Sequence, residues 1–290
     1  MRVVFIGGAP KCGTSAVFDR LEREALVVAS KPKETYYFLE PEHPLKKLVD
    51  QKGTFDSYFN PSDSGKGSIF LEATTHTLYS NHAFEQIKKW PEAQVIFILR
   101  NPIDRLVSSF LYTKHNLGAV KESFHIDDYV KALLEKNLDV IDKSILTPAS
   151  KFVLMRDLEY GNYKKYLPKW SSQFGQDLLC LDYEELKTAP QVFYQAIYDF
   201  LGLPYTEQLG NAKKNQTISV KNAGLHRLLL SLNQKVRMPK PQWLKSLYIA
   251  IQKKDSSETL SDERKEQLMA YYAESNEYVK NHFNIDLDAK

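Results

Sequence analysis

The chain has 290 residues, of which 43% are hydrophobic and 26% charged, with a formal net charge of +3 at pH 7. This length can bury the core of one large α/β domain, and we expect a single domain over residues 1–290. The small, evenly spread charge argues against nucleic-acid binding. The two cysteines are too few for a disulfide framework, and no apolar run has the length of a signal peptide or membrane span. We therefore expect a cytoplasmic protein.

The N-terminal segment predicts a phosphate-binding loop. An apolar strand at residues 3–6 leads into a loop bounded by Gly8 and Gly13, which have the spacing of a nucleotide-binding P-loop. In a kinase a lysine would follow the second glycine, at Thr14, whereas here Lys11 precedes that glycine by two residues. The spacing predicts a 5′-phosphate site with a differently placed cation. The alternative is an ordinary glycine-rich turn.

The expected phosphate contacts lie in the second half of this loop. Gly13, Thr14 and Ser15 offer backbone N–H groups at a helix N-terminus, and the last two also offer hydroxyl donors. Cys12 is predicted to belong to the same cofactor-binding loop, and we expect it to be a small buried residue there rather than a reactive thiol.

A second anion motif begins where the apolar run of residues 95–99 ends. The run predicts a buried parallel strand, so Arg100 lies at a carboxyl end, where open α/β sheets bind ligands. Pro102 suits the first turn of the next helix, on which Ser108 follows. We expect Arg100 and Ser108 to hold a second phosphate, and Arg105 to pair with an acidic neighbour on the helix surface.

Strand-like and helix-like segments alternate along the rest of the chain, which predicts a central parallel β-sheet flanked by helices. A short apolar piece lies at residues 26–29, further strands are predicted at 68–72 and 178–186, and helices at 13–23, 161–170, 192–201 and 261–282. Residues 41–67 are polar and rich in turns. Residues 117–156 are irregularly helical, which is typical of an insertion on the acceptor side.

The two anion motifs together resemble those of a large enzyme family. Pro-Lys-x-Gly-Thr-Ser at residues 10–15 and Arg-x-Pro-x-x-Arg-x-x-Ser at residues 100–108 are similar to the 5′- and 3′-phosphate motifs of sulfotransferases that use 3′-phosphoadenosine 5′-phosphosulfate (PAPS). Residues 161–170 and 178–204 look like the second half of these enzymes. The resemblance implies the P-loop-like sulfotransferase fold, PAPS as cosubstrate, 3′-phosphoadenosine 5′-phosphate (PAP) as product, and no metal.

The same resemblance assigns two further contacts to the cosubstrate. Tyr183 matches a family tyrosine that contacts the adenine, with a core tyrosine at a strand end as the alternative. A basic loop that closes over the 3′-phosphate is expected in the C-terminal third, where Arg237 is the selected candidate; the other basic residues considered there are Lys221, Arg227 and Lys235. Each of these four side chains would otherwise be a solvated surface charge.

Within the family, residues 31–38 most resemble the heparan-sulfate (glycan) group, here without its membrane anchor. In that group Glu34 would be the catalytic base, the alternative being a solvated loop acid. This chain departs from that group in the segment that starts at Glu72. The group has a lysine immediately after the glutamate, whereas this chain has Ala73 there. His76, in the same segment, is a candidate substitute base or acceptor contact, or else a structural histidine.

The resemblance implies in-line sulfuryl transfer to a hydroxyl or amine. Lys11 would meet the charge that develops on the oxygen of the leaving 5′-phosphate, and Glu34 would take the acceptor proton. The acceptor is left open among a glycan, a carrier-bound hydroxyacyl group and a small natural product, as is the oligomeric state. Two alternatives remain, a P-loop nucleotide or small-molecule kinase and a non-catalytic anion-binding protein with a basic amphipathic helix at residues 240–254.

Overall fold

A computed structural model describes residues 2–60, 68–205 and 258–288 of the chain. The described residues form two compact units. The first contains residues 2–60, 68–105, 160–205 and 272–288, and the second contains residues 106–159 and 258–271. Within these residues no helix is both long and apolar enough to cross a membrane.

The first unit is built on a parallel sheet of five strands in the order β2-β3-β1-β4-β5. The strands are β1 (Arg2–Gly8), β2 (Val27–Ala29), β3 (Ile69–Glu72), β4 (Ala93–Leu99) and β5 (Leu178–Asp182). Residues 3–6 of β1 and 95–99 of β4 are fully buried, as expected for the centre of a sheet covered on both faces. The prediction of a parallel α/β sheet is confirmed.

The order of the strands determines where a ligand can bind. β1 pairs with β3 on one side and with β4 on the other, and all pairs are parallel. After β3 the chain therefore crosses to the opposite side of β1, which makes the carboxyl ends of β1 and β4 a topological switch point. The loop after β1 and Arg100 after β4 begin at this edge.

The helices follow the strands in the expected alternation. They are α1 (Thr14–Leu21), α2 (Asn81–Ile87), α3 (Pro102–Leu111), α4 (Ile126–Leu134), α5 (Leu138–Ser144), α6 (Pro148–Leu154), α7 (Asp157–Tyr160), α8 (Leu167–Phe174), α9 (Tyr183–Thr188), α10 (Pro190–Leu201) and α11 (Asp262–Phe283). Short 3₁₀ turns lie at Pro44–Leu48, Phe55–Tyr58, Thr77–Tyr79, Tyr163–Lys165 and Gly175–Asp177, and a π turn at Tyr112–Asn116. Residues 240–254 lie outside the described part of the chain.

Three local predictions were wrong. The helix expected over residues 161–170 begins only at Leu167, with Pro168 in its first turn, where a missing N–H costs nothing. The strand expected to reach residue 186 ends at Asp182, because the Asp182 carboxylate accepts from the Glu184 N–H at 2.9 Å and caps α9. Arg105, expected on the helix surface, is fully buried.

The second unit contains three short helices, α4, α5 and α6, as the irregular pattern indicated. The buried Tyr129 hydroxyl donates to the Leu154 carbonyl at 2.9 Å and contacts Asp157 Oδ2 at 3.2 Å. The ammonium of Lys114 is buried as well, and it contacts Glu258 Oε1 at 2.6 Å and two backbone carbonyls. These contacts join α4 to α6 and α7, and the π turn to Glu122, Phe124 and Glu258.

Candidate active site

The loop after β1 leaves a helix N-terminus open to an anion. Gly13 has φ +81° and precedes the first residue of α1, and in the described part of the chain no side chain caps the helix there. A Cβ at this position would lie 2.7 Å from Leu186 Cδ2 and 3.1 Å from the Tyr183 ring. Glycine is therefore required, and the first N–H groups of α1 remain available to a phosphate.

The side chains of α1's first turn surround this position. Thr14 is 5% exposed, and Ser15 is half-buried. Cys12 is fully buried, and its Sγ donates to the Pro10 carbonyl at 3.5 Å. Burial raises the pKa of the Cys12 thiol to about 11, against the opposing influence of the nearby arginines 105 and 100. The thiol therefore stays protonated, as expected for a filler residue.

Lys11 has an unusual backbone conformation that Arg100 holds in place. Its φ is +68°, in the left-handed region that residues other than glycine rarely adopt. The Lys11 carbonyl accepts a hydrogen bond from Arg100 Nη1 at 3.2 Å. The loop after β1 and the end of β4 are thus joined through these two residues.

Arg100 has the surroundings of an anion-binding residue. Its guanidinium carbon lies 4.8 Å from the centroid of the Tyr183 ring, and its backbone is fixed by the Tyr163 hydroxyl, which donates to the Arg100 carbonyl at 3.0 Å. Arg100 Nε is buried and has no hydrogen-bond partner among the described residues. Since buried guanidinium N–H groups are normally paired, this donor set fits a phosphate of PAP.

Glu34 contacts the segment that follows β3. Its Oε2 accepts from Thr75 Oγ1 at 3.4 Å, and its Oε1 lies 3.3 Å from Lys33 Nζ. The Glu34 side chain is 28% exposed. The Thr75 carbonyl lies 3.1 Å from the point where a Cβ of Gly8 would be. The carboxylate is therefore one residue away from the start of the phosphate loop, and a solvent-borne acceptor can reach it.

Glu72 fastens the Glu34 segment to the sheet. One oxygen, Oε1, accepts from the N–H and hydroxyl of Thr35 at 3.0 and 2.9 Å and from the Thr74 hydroxyl, and Oε2 accepts from the Thr74 N–H at 3.0 Å. Burial raises the pKa of this carboxyl group, although the four donors act in the opposite direction. The residue next to Glu34 is thereby held against the end of β3.

His76 is buried in an aromatic environment. It is 7% exposed, and neither ring nitrogen has a hydrogen-bond partner within the residues that the structure describes. Its ring centroid lies 5.8 Å from that of Tyr160 and 6.2 Å from those of His43 and Tyr79. Burial lowers the pKa of His76 to about 3, and the charges of His43 and Arg105 add to this effect. The imidazole is therefore neutral at physiological pH.

The structure brings most of the sequence-predicted residues of the first unit into contact. Lys11, Gly13, Arg100 and Tyr183 are linked directly, and Glu34 approaches the same loop through Thr75. Ser108 is half-buried on α3, in the second unit, and its part in a phosphate site stays a prediction. Arg237, Lys221, Arg227 and Lys235 lie outside the described residues.

Sequence reasoning missed four contributors to the site, namely Lys33, Glu72, Thr75 and Tyr163. Thr74, two residues after Glu72, was a usable signal for that carboxylate, because a buried carboxylate needs several donors nearby. The role of Tyr163 depends on the fold of residues 160–166 against β4, which the sequence does not reveal. Among residues 2–60, 68–205 and 258–288 no cluster of histidine, cysteine and carboxylate side chains could hold a metal ion.

Comparison with known proteins agrees with this geometry. The model of the sulfotransferase domain family matches residues 2–223. The chain therefore belongs to the sulfotransferase domain family, which confirms the resemblance drawn from the two anion motifs.

Individual relatives and a solved structure also match the chain. The chain is similar to human carbohydrate sulfotransferase 15, with 25% identity over 256 residues, and to human bifunctional heparan sulfate N-deacetylase/N-sulfotransferase 2, with 29% identity over 210 residues. These matches cover 70% and 68% of this chain but only 44% and 22% of the relatives' length. The crystal structure of a sulfotransferase from Alicyclobacillus acidocaldarius has the same fold, with a TM-score of 0.63, 18% identity, and coverage of 99% of this chain and 97% of that one.

Proposed function

We propose that the chain is a PAPS-dependent sulfotransferase that transfers a sulfuryl group to a hydroxyl or amine of an acceptor. One observation carries the proposal: the buried Nε of Arg100 has no hydrogen-bond partner among the residues that the structure describes, and Nη1 of the same side chain donates to the carbonyl of Lys11 in the phosphate loop. We propose two anion-binding positions at this edge of the sheet, one for each phosphate of a nucleotide that carries 3′- and 5′-phosphates. An arginine, Arg100, also follows β4 directly, where a kinase would need a carboxylate for Mg²⁺.

We assign a different group of the cosubstrate to each set of residues in the site. Backbone N–H groups at Gly13, with Thr14 and Ser15, would bind the 5′-phosphate, while Arg100 and Ser108 would bind the 3′-phosphate. Tyr183, in contact with the Arg100 guanidinium, would face the adenine. When bound, PAPS supplies an activated sulfuryl group on its 5′-phosphate. Lys11 would then neutralise the charge that develops on the bridging oxygen.

Glu34 is the better of the two candidate bases. Its carboxylate is partly exposed and lies beside Thr75 at the start of the loop. His76 is buried, and its pKa of about 3 makes it a weak proton acceptor at neutral pH. We therefore propose that Glu34 takes the acceptor proton and that His76 belongs to the buried wall of the acceptor side.

The acceptor is proposed at the level of its chemical class. The two human relatives carry "carbohydrate" and "heparan sulfate" in their names, which favours a glycan hydroxyl or amine. Ala73, where the glycan group has a lysine, keeps a carrier-bound hydroxyacyl group and a small natural product as alternatives. The two cysteines of the chain are both free thiols, which supports a reducing, cytoplasmic setting.

The proposal is tested by sulfuryl transfer from radiolabelled PAPS to members of the three acceptor classes. We expect labelled product with at least one class. Lys11→Ala should lower turnover about a hundredfold or more but affect PAP affinity less, since its ammonium meets charge that develops mainly in the transition state. Lys89→Ala, at an exposed lysine after α2, is the matched control. Absence of both PAP binding and transfer in the unmodified protein would refute the proposal.

A further inference from the structure

The ammonium of Lys33 lies among Glu34, the carbonyl of Ala73 and the ring of Phe18 on α1. Its Nζ lies 3.3 Å from Glu34 Oε1 and donates to the Ala73 carbonyl at 3.1 Å, and the side chain is only 19% exposed. The same Nζ lies 5.9 Å from the centroid of the Phe18 ring. Phe18 is one turn beyond Thr14 on α1, so the ammonium lies against the helix whose N-terminus points at the phosphate site.

The backbone of Lys33 is fixed from three sides. Its carbonyl accepts from the Ala73 N–H at 3.1 Å and from Ser30 Oγ at 3.1 Å. Two residues further on, Thr35 is held by the Glu72 carboxylate. A lysine on such a support differs from a surface lysine, because its ammonium is placed before any ligand binds.

The ammonium also has donor capacity left for a ligand. Of its three N–H donors, the described part of the chain accounts for two, directed at Glu34 and at the Ala73 carbonyl. The third can reach an anionic oxygen on the open side, where Glu34 meets the acceptor. The contact with the Ala73 carbonyl places a positive charge beside a position that carries a small, uncharged side chain.

We propose that Lys33 is a second catalytic cation of the site, and that it binds an oxygen of the sulfuryl group during transfer. The inference rests on the proposed function. In the transfer, the bond from sulfur to the bridging 5′-phosphate oxygen breaks, and its electron pair leaves with PAP. The bond from sulfur to the acceptor oxygen or nitrogen forms, and Glu34 takes the acceptor proton. Lys33 keeps its protons throughout and stabilises the negative oxygens of the moving group.

A binding measurement tests this without catalysis, because PAPS and PAP differ only by the sulfuryl group. We expect Lys33→Met to weaken PAPS binding at least tenfold in calorimetry without acceptor, while PAP binding changes less than twofold. Lys33→Arg, which keeps the charge, should retain most of the affinity for PAPS. Lys31→Met, at an exposed lysine of the same segment, is the control and should change neither affinity. Turnover of Lys33→Met should fall about a hundredfold.

Two outcomes overturn the inference separately from the proposed function. If the unmodified protein binds PAP and transfers sulfuryl groups, but Lys33→Met keeps the wild-type affinities for PAPS and PAP, Lys33 does not contact the sulfuryl group. If Glu34→Gln alone weakens the binding of PAPS as much as Lys33→Met does, Lys33 acts only by positioning that carboxylate. If the unmodified protein binds neither nucleotide, the proposed function itself fails.

Discussion

At the scale of single residues, the two candidate bases, Glu34 and His76, differ in their exposure to solvent. Glu34 is partly exposed and has two polar neighbours, Lys33 and Thr75. His76 is enclosed by Tyr160, Tyr79 and His43. Proton transfer needs contact with the acceptor, which the partly exposed carboxylate of Glu34 allows and the buried ring of His76 does not.

Glu34→Gln should therefore lower turnover about a hundredfold or more, the usual scale for lost acid–base catalysis. PAP affinity and the unfolding temperature should stay unchanged, because the side chain is partly exposed and lies outside the nucleotide positions. Steady-state kinetics and calorimetry measure both, with Glu42→Gln at an exposed position as the control. If Glu34→Gln stays active while His76→Leu is inactive, the base lies in the segment where Ala73 departs from the glycan group.

His76 should be visible in the acid stability of the protein. Its pKa of about 3 in the folded state is below the usual 6.5, so it contributes stability above pH 6.5 that is lost as the pH falls toward 3. Between pH 6.5 and about pH 5 this loss amounts to about 2 kcal/mol. His76→Leu removes the titrating group, so the variant should lose correspondingly less stability over that range.

Urea unfolding at a series of pH values measures this difference. The exposed His282→Gln variant is the control for removing a histidine. Parallel stability curves for His76→Leu and the unmodified protein would show that the ring is hydrated or hydrogen-bonded in solution.

At the scale of secondary structure elements, the junction of β1, α1 and α9 shapes the phosphate site. Gly13 allows the α1 N-terminus to lie against Tyr183 and Leu186 without a side chain in between. Gly13→Ala should weaken PAP binding tenfold or more, because a Cβ there displaces α9 and strains a backbone with φ +81°. The measurement is calorimetry with PAP, accompanied by thermal unfolding.

Gly175→Ala is the matched control for the strain of a side chain on a backbone with positive φ. Gly175 also has a positive φ, +48°, but a Cβ there would meet nothing within 4 Å. We expect this variant to lose stability yet to bind PAP normally. Equal PAP affinities for the two glycine variants would contradict a role of the tight Gly13 contact in nucleotide binding.

The elements also show what the sequence could reveal. β1 and β4 were predictable, because buried parallel strands are continuous apolar runs and both runs end abruptly in polar residues. The end of β5 was not, because Tyr183 and Leu186 suit a strand as well as a helix. The hydrogen bond from the Glu184 N–H to the Asp182 carboxylate favours a helix, and it is visible only in the structure.

At the scale of the whole molecule, the strand order concentrates the chemistry at one edge of the first unit's sheet. The phosphate loop follows β1, Ala73 follows β3, Arg100 follows β4 and Tyr183 follows β5. Motif spacing predicted that Arg100 and the loop after β1 lie together here, since each motif is local in sequence. It could not predict Lys33 or Glu72 as members of the site, because their partners are about 40 residues distant and meet only through the pairing of the strands.

The central claim is that this edge binds a nucleotide with two separate phosphate groups, and calorimetry with PAP and AMP tests it most directly. Charge-assisted hydrogen bonds contribute about 1.5–3 kcal/mol each, so loss of the 3′-phosphate should weaken binding tenfold or more. Arg100→Ala should remove this preference, leaving similar affinities for the two nucleotides in a protein that still unfolds cooperatively. Equal affinity of the unmodified protein for PAP and AMP would contradict the account.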